Sequence, residues 1–61
     1  MRRIDLVRHL EAHGCYVRRE GGNHIVYTNP ANGHSAPVPR HHEISNLLAR
    51  AICRQLGIPD P

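Results

Sequence analysis

Apolar positions along the chain follow three successive rhythms. From Arg2 to His13, Ile4, Val7 and Leu10 recur at helical spacing with Leu6 beside them, and Gly14 follows as a left-handed cap. From Cys15 to Arg19 the period shortens to two, with Cys15 and Val17 facing one way and Tyr16 and Arg18 the other, as in a strand. Gly21-Gly22 turns the chain, and His24 to Thr28 resumes the alternation. Asn29-Pro30-Ala31-Asn32-Gly33 is a second turn, because Pro fixes one corner and Asn-Gly accepts positive φ. His34 to Val38 forms a third strand, and Pro37, which lacks an amide donor, makes it short or places it at an edge. The stripe Ile44, Leu47, Leu48, Ala51, Ile52 and Leu56 predicts a last helix, capped by Ser45 or Asn46 and stopped by Gly57 and Pro59.

The order α-β-β-β-α implies an α+β sandwich. Three antiparallel strands bury one face under two helices and leave the other open to arginine and histidine. With 61 residues the chain is a single domain over 1–61. A domain of this size buries only ~60% of its unfolded surface, so a staple or partner would help it. Cys15 and Cys53 each sit in an apolar pattern, which predicts small buried reduced thiols rather than a disulfide. No segment is apolar and long enough for a signal peptide or a membrane span, so the expectation is a cytoplasmic protein without a membrane partner.

Charge adds a candidate ligand. All 8 basic residues are arginine, against 5 acids, giving +3 with the 6 histidines neutral. Arginine offers a planar fork that matches phosphate oxygens, and a basic surface attracts polyanions or merely aids solubility. Tyr16 and Tyr27 are the only large aromatics, a scarcity that argues against a single-strand binder of the stacking type. The segment Gly21-Gly22-Asn23-His24-Ile25-Val26-Tyr27 holds the most chemistry. Its glycines allow close backbone approach to another molecule, and the strand behind them fixes an imidazole able to exchange protons near neutrality. On residues alone His24 is either a proton-transfer group or a surface hydrogen-bonding group. His9 and His13 stand four apart on the first helix, a spacing that suits two metal ligands, but no third ligand or Cys-x-x-Cys pair accompanies them. The expectation is no metal and no cofactor.

The chain resembles the HicA, or YcfA-like, toxin family. The resemblance rests on the Leu10…Gly14 helix end, the glycine-polar-His24 turn and Val38-Pro39-Arg40-His41 before the last helix, with Glu43-Ile44 and Ile52…Gln55-Leu56-Gly57-Ile58. It implies a fold like a double-stranded-RNA-binding domain, ribonuclease action on messenger RNA, a HicB antitoxin as partner, and His24 as the catalytic residue. The chain departs from the family pattern at Asn23, where Ser is frequent, at Cys15, where an aromatic is, and at Leu47-Leu48, where Gly-Thr is common.

RNA cleavage by its own 2′-hydroxyl needs a base, an acid and positive charge at the phosphate. His24 would be the base. Gly22, Asn23, Arg18, Arg19, Arg40 and His41 are the expected RNA and phosphate contacts. His41, then His42, is the candidate for the second proton carrier. Strand alternation lets only one of Arg18 and Arg19 face a given phosphate. Tyr27 stacks on a base or sits in the core, and Arg50 and Arg54 mark the wet face of the last helix. The rivals to the nuclease are a non-catalytic RNA-binding module of the double-stranded-RNA-binding type and a basic face that docks an acidic protein.

Overall fold

A computed structural model describes residues 1–61. Helix α1 (Arg3–Ala12) is followed by strands β1 (Tyr16–Glu20), β2 (His24–Asn29) and β3 (His34–Pro39), then helix α2 (Asn46–Leu56). The sheet is antiparallel with strand order β1-β2-β3, and both helices lie on one side of it, as the hydrophobic pattern predicts. No helix is long and apolar enough to cross a membrane.

Helix α1 buries Leu6 and Leu10, one turn apart, while Ile4 remains exposed. No side chain caps its start. Instead Arg2 grips Asp5 in the first turn, with Nε 3.0 Å from Oδ2, and that hydrogen bond holds the Asp5 carboxyl below its ordinary value. The end is a Schellman motif: Gly14 takes φ 84°, its N–H donates to Glu11 O, and the Cys15 N–H donates to Leu10 O. Helix α2 ends the same way, with Gly57 at φ 73° and N–H bonds from Gly57 to Arg54 O and from Ile58 to Cys53 O. Its start is capped by Ser45, whose Oγ accepts from the Leu48 N–H at 3.1 Å.

The face α2 presents differs from the stripe read in the sequence. Ala49, Ile52, Cys53 and Leu56 are buried on the helix, with Ile44 before it and Ile58 after it, whereas Ala51 and Leu48 are exposed and Leu47 is 74% exposed. At 3.6 residues per turn, Leu47 lies almost opposite Ala49. Cys53 takes the place given to Leu48, because a buried thiol packs as a small hydrophobe. Both cysteines are free, and burial pushes both thiols above their ordinary range.

In the sheet, Ile25 pairs with Val38 and Tyr27 with Ala36, and all four turn toward the helices. Tyr27 therefore belongs to the core. The alternate residues His24, Val26 and Thr28 pair with Pro39, Pro37 and Ser35 on the open face. Pro37 and Pro39 are accommodated because β3 is an edge strand. The β2–β3 turn is tied to α2 by two asparagines: Asn29 Nδ2 at 2.8 Å and Asn32 Nδ2 at 3.0 Å both donate to Leu56 O. These bonds satisfy a carbonyl that the helix end leaves without an intrahelical partner.

Candidate functional site

The β1–β2 hairpin presents the histidine. Glu20 and Ile25 are its last paired residues, and the Gly21 N–H donates to His24 O at 2.9 Å. Neither Gly21 nor Gly22 takes a positive φ. A Cβ on Gly21 would lie 3.3 Å from His24 O, a crowded contact, whereas one on Gly22 would meet nothing within 4 Å. The fold therefore makes no steric demand for glycine at 22. A bare backbone there matters only to something that approaches from outside.

Arg40 clamps this turn from the end of β3. Its guanidinium Nη2 donates to Gly21 O at 3.0 Å and lies 3.9 Å from Glu20 Oε1, and its own backbone N–H donates to Asn23 O at 3.3 Å. From the helix side, Arg3 Nε donates to the carbonyl of Pro39, the residue opposite His24, at 2.9 Å. The Nη2 of Arg3 is buried without a hydrogen-bond partner. Two arginines from different elements thus fix the backbone around His24. The His24 imidazole itself is exposed on the open face and makes no hydrogen bond or ion pair within the chain.

Strand alternation fails between Arg18 and Arg19. A β-bulge interrupts the β1–β2 register there: Val17 pairs with Tyr27, and Arg19 pairs with Val26. The extra residue brings both arginines to the open face, contrary to the expectation that only one could face a given side. Arg18 reaches across β2 to Ser35, with Nη1 3.3 Å from Oγ. Arg18, Arg19, Val26 and Ser35 line a groove of about 490 Å³. Tyr16, opposite Thr28, closes the far end of the face and is 55% exposed.

The remaining candidates fall elsewhere. His41 and His42 are exposed in the segment between β3 and α2, and neither bonds to His24. The His42 carbonyl accepts from the Arg3 N–H at 2.7 Å. His9 and His13 meet edge to face at 4.7 Å, but His9 Nε2 lies 2.7 Å from Pro59 O and so donates to it. Arg54 pairs with Asp60 at 3.6 Å, and Arg50 is exposed. No three His, Cys, Asp or Glu side chains are grouped as a metal site would require.

The family model described as HicA toxin of bacterial toxin-antitoxin matches residues 4–58. No curated protein and no solved structure matches the chain. The matched span contains all three strands, all of α2 and all of α1 but its first residue, and with them the clamped turn, His24 and the two-arginine face. The chain belongs to the HicA toxin family, toxins of bacterial toxin–antitoxin pairs.

Proposed function

We propose that this toxin is an endoribonuclease that cleaves messenger RNA without a metal, uses His24 as its catalytic group and is neutralised by a HicB-type antitoxin. One observation carries the reading: an exposed imidazole without a partner stands on a braced hairpin, on the same sheet face as two arginines that have no acid to pair with. An imidazole left free of internal bonds is available for proton transfer to or from a substrate.

In this reading neutral His24 takes the proton of a 2′-hydroxyl. The O2′ attacks the adjacent phosphorus, the P–O5′ bond breaks, and the products are a 2′,3′-cyclic phosphate and a 5′-hydroxyl. The leaving O5′ receives a proton from a second group, for which His41 is the first candidate and His42 the next. Arg18 and Arg19 hold the RNA by the phosphate beside the scissile one, and Gly22 with Asn23 lets the RNA backbone come close. Arg40, expected at the phosphate, instead holds the turn through its Nη2 bond to Gly21 O.

Induced expression of wild type beside His24→Ala, with mapping of transcript ends, tests the proposal. Growth arrest with new 5′-hydroxyl ends in wild type alone, resistant to chelator, is the expected result. Equal cutting by both proteins would remove His24 from the chemistry. Two folded and harmless proteins would favour the RNA-binding module without catalysis.

A further inference from the structure

The nuclease reading leaves open what form of RNA the face accepts, and the layout of the open sheet bears on that. Along β2 the residues on the open-face side are His24, exposed, Val26, half-buried, and Thr28, buried, two residues apart and so about 6.7 Å per step. That step is comparable to the distance between consecutive phosphates in an extended single strand. Arg19 stands beside Val26, one step from His24, and Tyr16 stands beside Thr28, two steps away. The bulge adds Arg18 to the middle of this line, where its guanidinium spans to Ser35.

Charge on this face has one sign. Asp5 and Glu11 lie on α1, Glu43 precedes α2 and Asp60 follows it. Glu20 pairs with Ile25, so it projects toward the helix side, where Arg40 approaches it. No carboxylate occupies the open face, and neither Arg18 nor Arg19 joins an ion pair. A flat strip of a positive pair, an apolar floor at Val26 and an exposed phenol ring fits an unpaired strand, whose phosphates and base faces are both accessible. An A-form duplex turns its base faces inward and would leave the ring without a partner.

We propose that the open face of the sheet is a track for single-stranded RNA running along β2, with Arg18 and Arg19 on the phosphate next to the scissile one and Tyr16 stacked on a base one step further. The track rests on the nuclease reading for its placement of the scissile phosphate at His24. Aromatic residues are as scarce as the composition indicates, but one ring at the end of a charged strip suffices for a short site.

The test uses the full chain with oligoribonucleotides carrying 2′-O-methyl groups, which cannot be cut by the 2′-hydroxyl route, so binding is read apart from catalysis. The single strand is expected to bind more tightly than the same strand in a duplex. Tyr16→Ala and Tyr16→Leu should each weaken single-strand binding by about 5- to 150-fold, with Tyr16→Phe close to wild type. The pair Arg18→Ala/Arg19→Ala should reduce the slope of log affinity against log salt by about 0.7. Thermal melts of each variant confirm that the strand is intact.

Tighter duplex binding with no effect of Tyr16→Ala would overturn the track in favour of A-form recognition. Polyglutamate competing as well as RNA, with Tyr16 indifferent, would overturn it in favour of an acidic protein surface. Cleavage of ordinary transcripts that needs His24 but keeps its wild-type KM in Tyr16→Ala would end the track and leave the nuclease standing. Single-strand binding through Tyr16 in a protein that cuts nothing would do the reverse.

Discussion

Removing the Arg40 side chain separates two roles a guanidinium beside this turn can have. Its Nη2 bond to Gly21 O is solvent-exposed, and Glu20 lies 3.9 Å away on an equally wet surface. The hydrogen bond contributes roughly 0.5–1.5 kcal/mol and the exposed pair roughly 0–1 kcal/mol, with the lower part of each range applying here. Arg40→Ala should therefore cost about 1 kcal/mol, which in a domain of this size lowers Tm by about 4–8 °C and leaves the protein folded at 25 °C. The larger effect falls on the turn. With Gly21 O released, the hairpin keeps the Gly21 N–H bond to His24 O and the Arg40 backbone bond to Asn23 O, neither of which fixes its lateral position.

A displacement of about 1 Å at a reacting group can cost 10²-fold in rate, so kcat should fall by about 10- to 100-fold. The assay is single-turnover cleavage of a labelled transcript fragment across a salt series. Positioning predicts a lower kcat, a nearly constant KM and a salt slope like that of wild type. Arg40→Lys should recover part of kcat, since an ammonium can still donate to Gly21 O, and Glu20→Gln should change little. An unchanged kcat with a raised KM and a salt slope smaller by about 0.7 would refute the clamp and make Arg40 a phosphate ligand instead.

Three further perturbations bear on fold and site. Asn29 is buried, donates to Leu56 O and accepts from the Ala31 N–H at 3.0 Å, so Asn29→Ala should cost about 1–3 kcal/mol in urea unfolding. Asn29→Asp should cost more, because it sets a carboxylate oxygen against the Leu56 carbonyl, and a milder effect would dissolve the turn-to-helix tie. Gly22→Ala should change stability by less than about 0.5 kcal/mol yet weaken RNA binding, since an added Cβ meets nothing in the chain; unchanged binding would show that nothing approaches there. Burial raises the Cys15 and Cys53 thiols above the ordinary 9.0, so the stability they contribute is complete below that value and is lost as pH rises through the folded ones. Urea midpoints should therefore fall above about pH 9 in wild type and less steeply in Cys15→Ala/Cys53→Ala, with parallel profiles counting against it.

The elements were legible because each carries its own period and its own stop. Gly14 and Gly57 both take the left-handed conformation that ends a helix, and the α-β-β-β-α order follows from alternation broken by two turn signals. The face of α2 was less legible. Leu47 and Leu48 fit a helical stripe as well as Cys53 does, and only packing against β3 decides among them. The bulge was illegible for a similar reason: nothing in Val17-Arg18-Arg19 marks which residue is extra, since register belongs to the pair of strands and not to either one. The residues expected at the site gather around the β1–β2 hairpin and the open sheet face, apart from His41, but what each side chain holds was hidden. Arg3 and Arg40 brace backbone, a use that appears only once Pro39 and Gly21 are brought beside them.

That bracing explains how so small a chain can hold an unpartnered imidazole beside unpaired arginines on one face. The turn that bears His24 has to be held without a core of its own, because β1 is exposed along its length and the buried cluster lies under β2 and β3. Arg3 and Arg40 supply the holding from the helix side and the strand end, and Arg2 and Arg54 are paired with Asp5 and Asp60 at the helix termini. Glu20, the acid nearest the turn, is directed to the other side of the sheet and occupied there by Arg40. The arginines left without an acid include both of those that the bulge turns outward. Placing Glu20 one residue out of phase would set a carboxylate among Arg18, Arg19 and His24, neutralising the face and giving the imidazole an internal partner. The hairpin register therefore sets the charge of this face. Deleting Arg18 should restore strict alternation, leave Arg19 alone on the open face and weaken polyanion binding while the core under β2 and β3 stays intact. Undiminished binding by that deletion variant would show that the bulge has no part in the site.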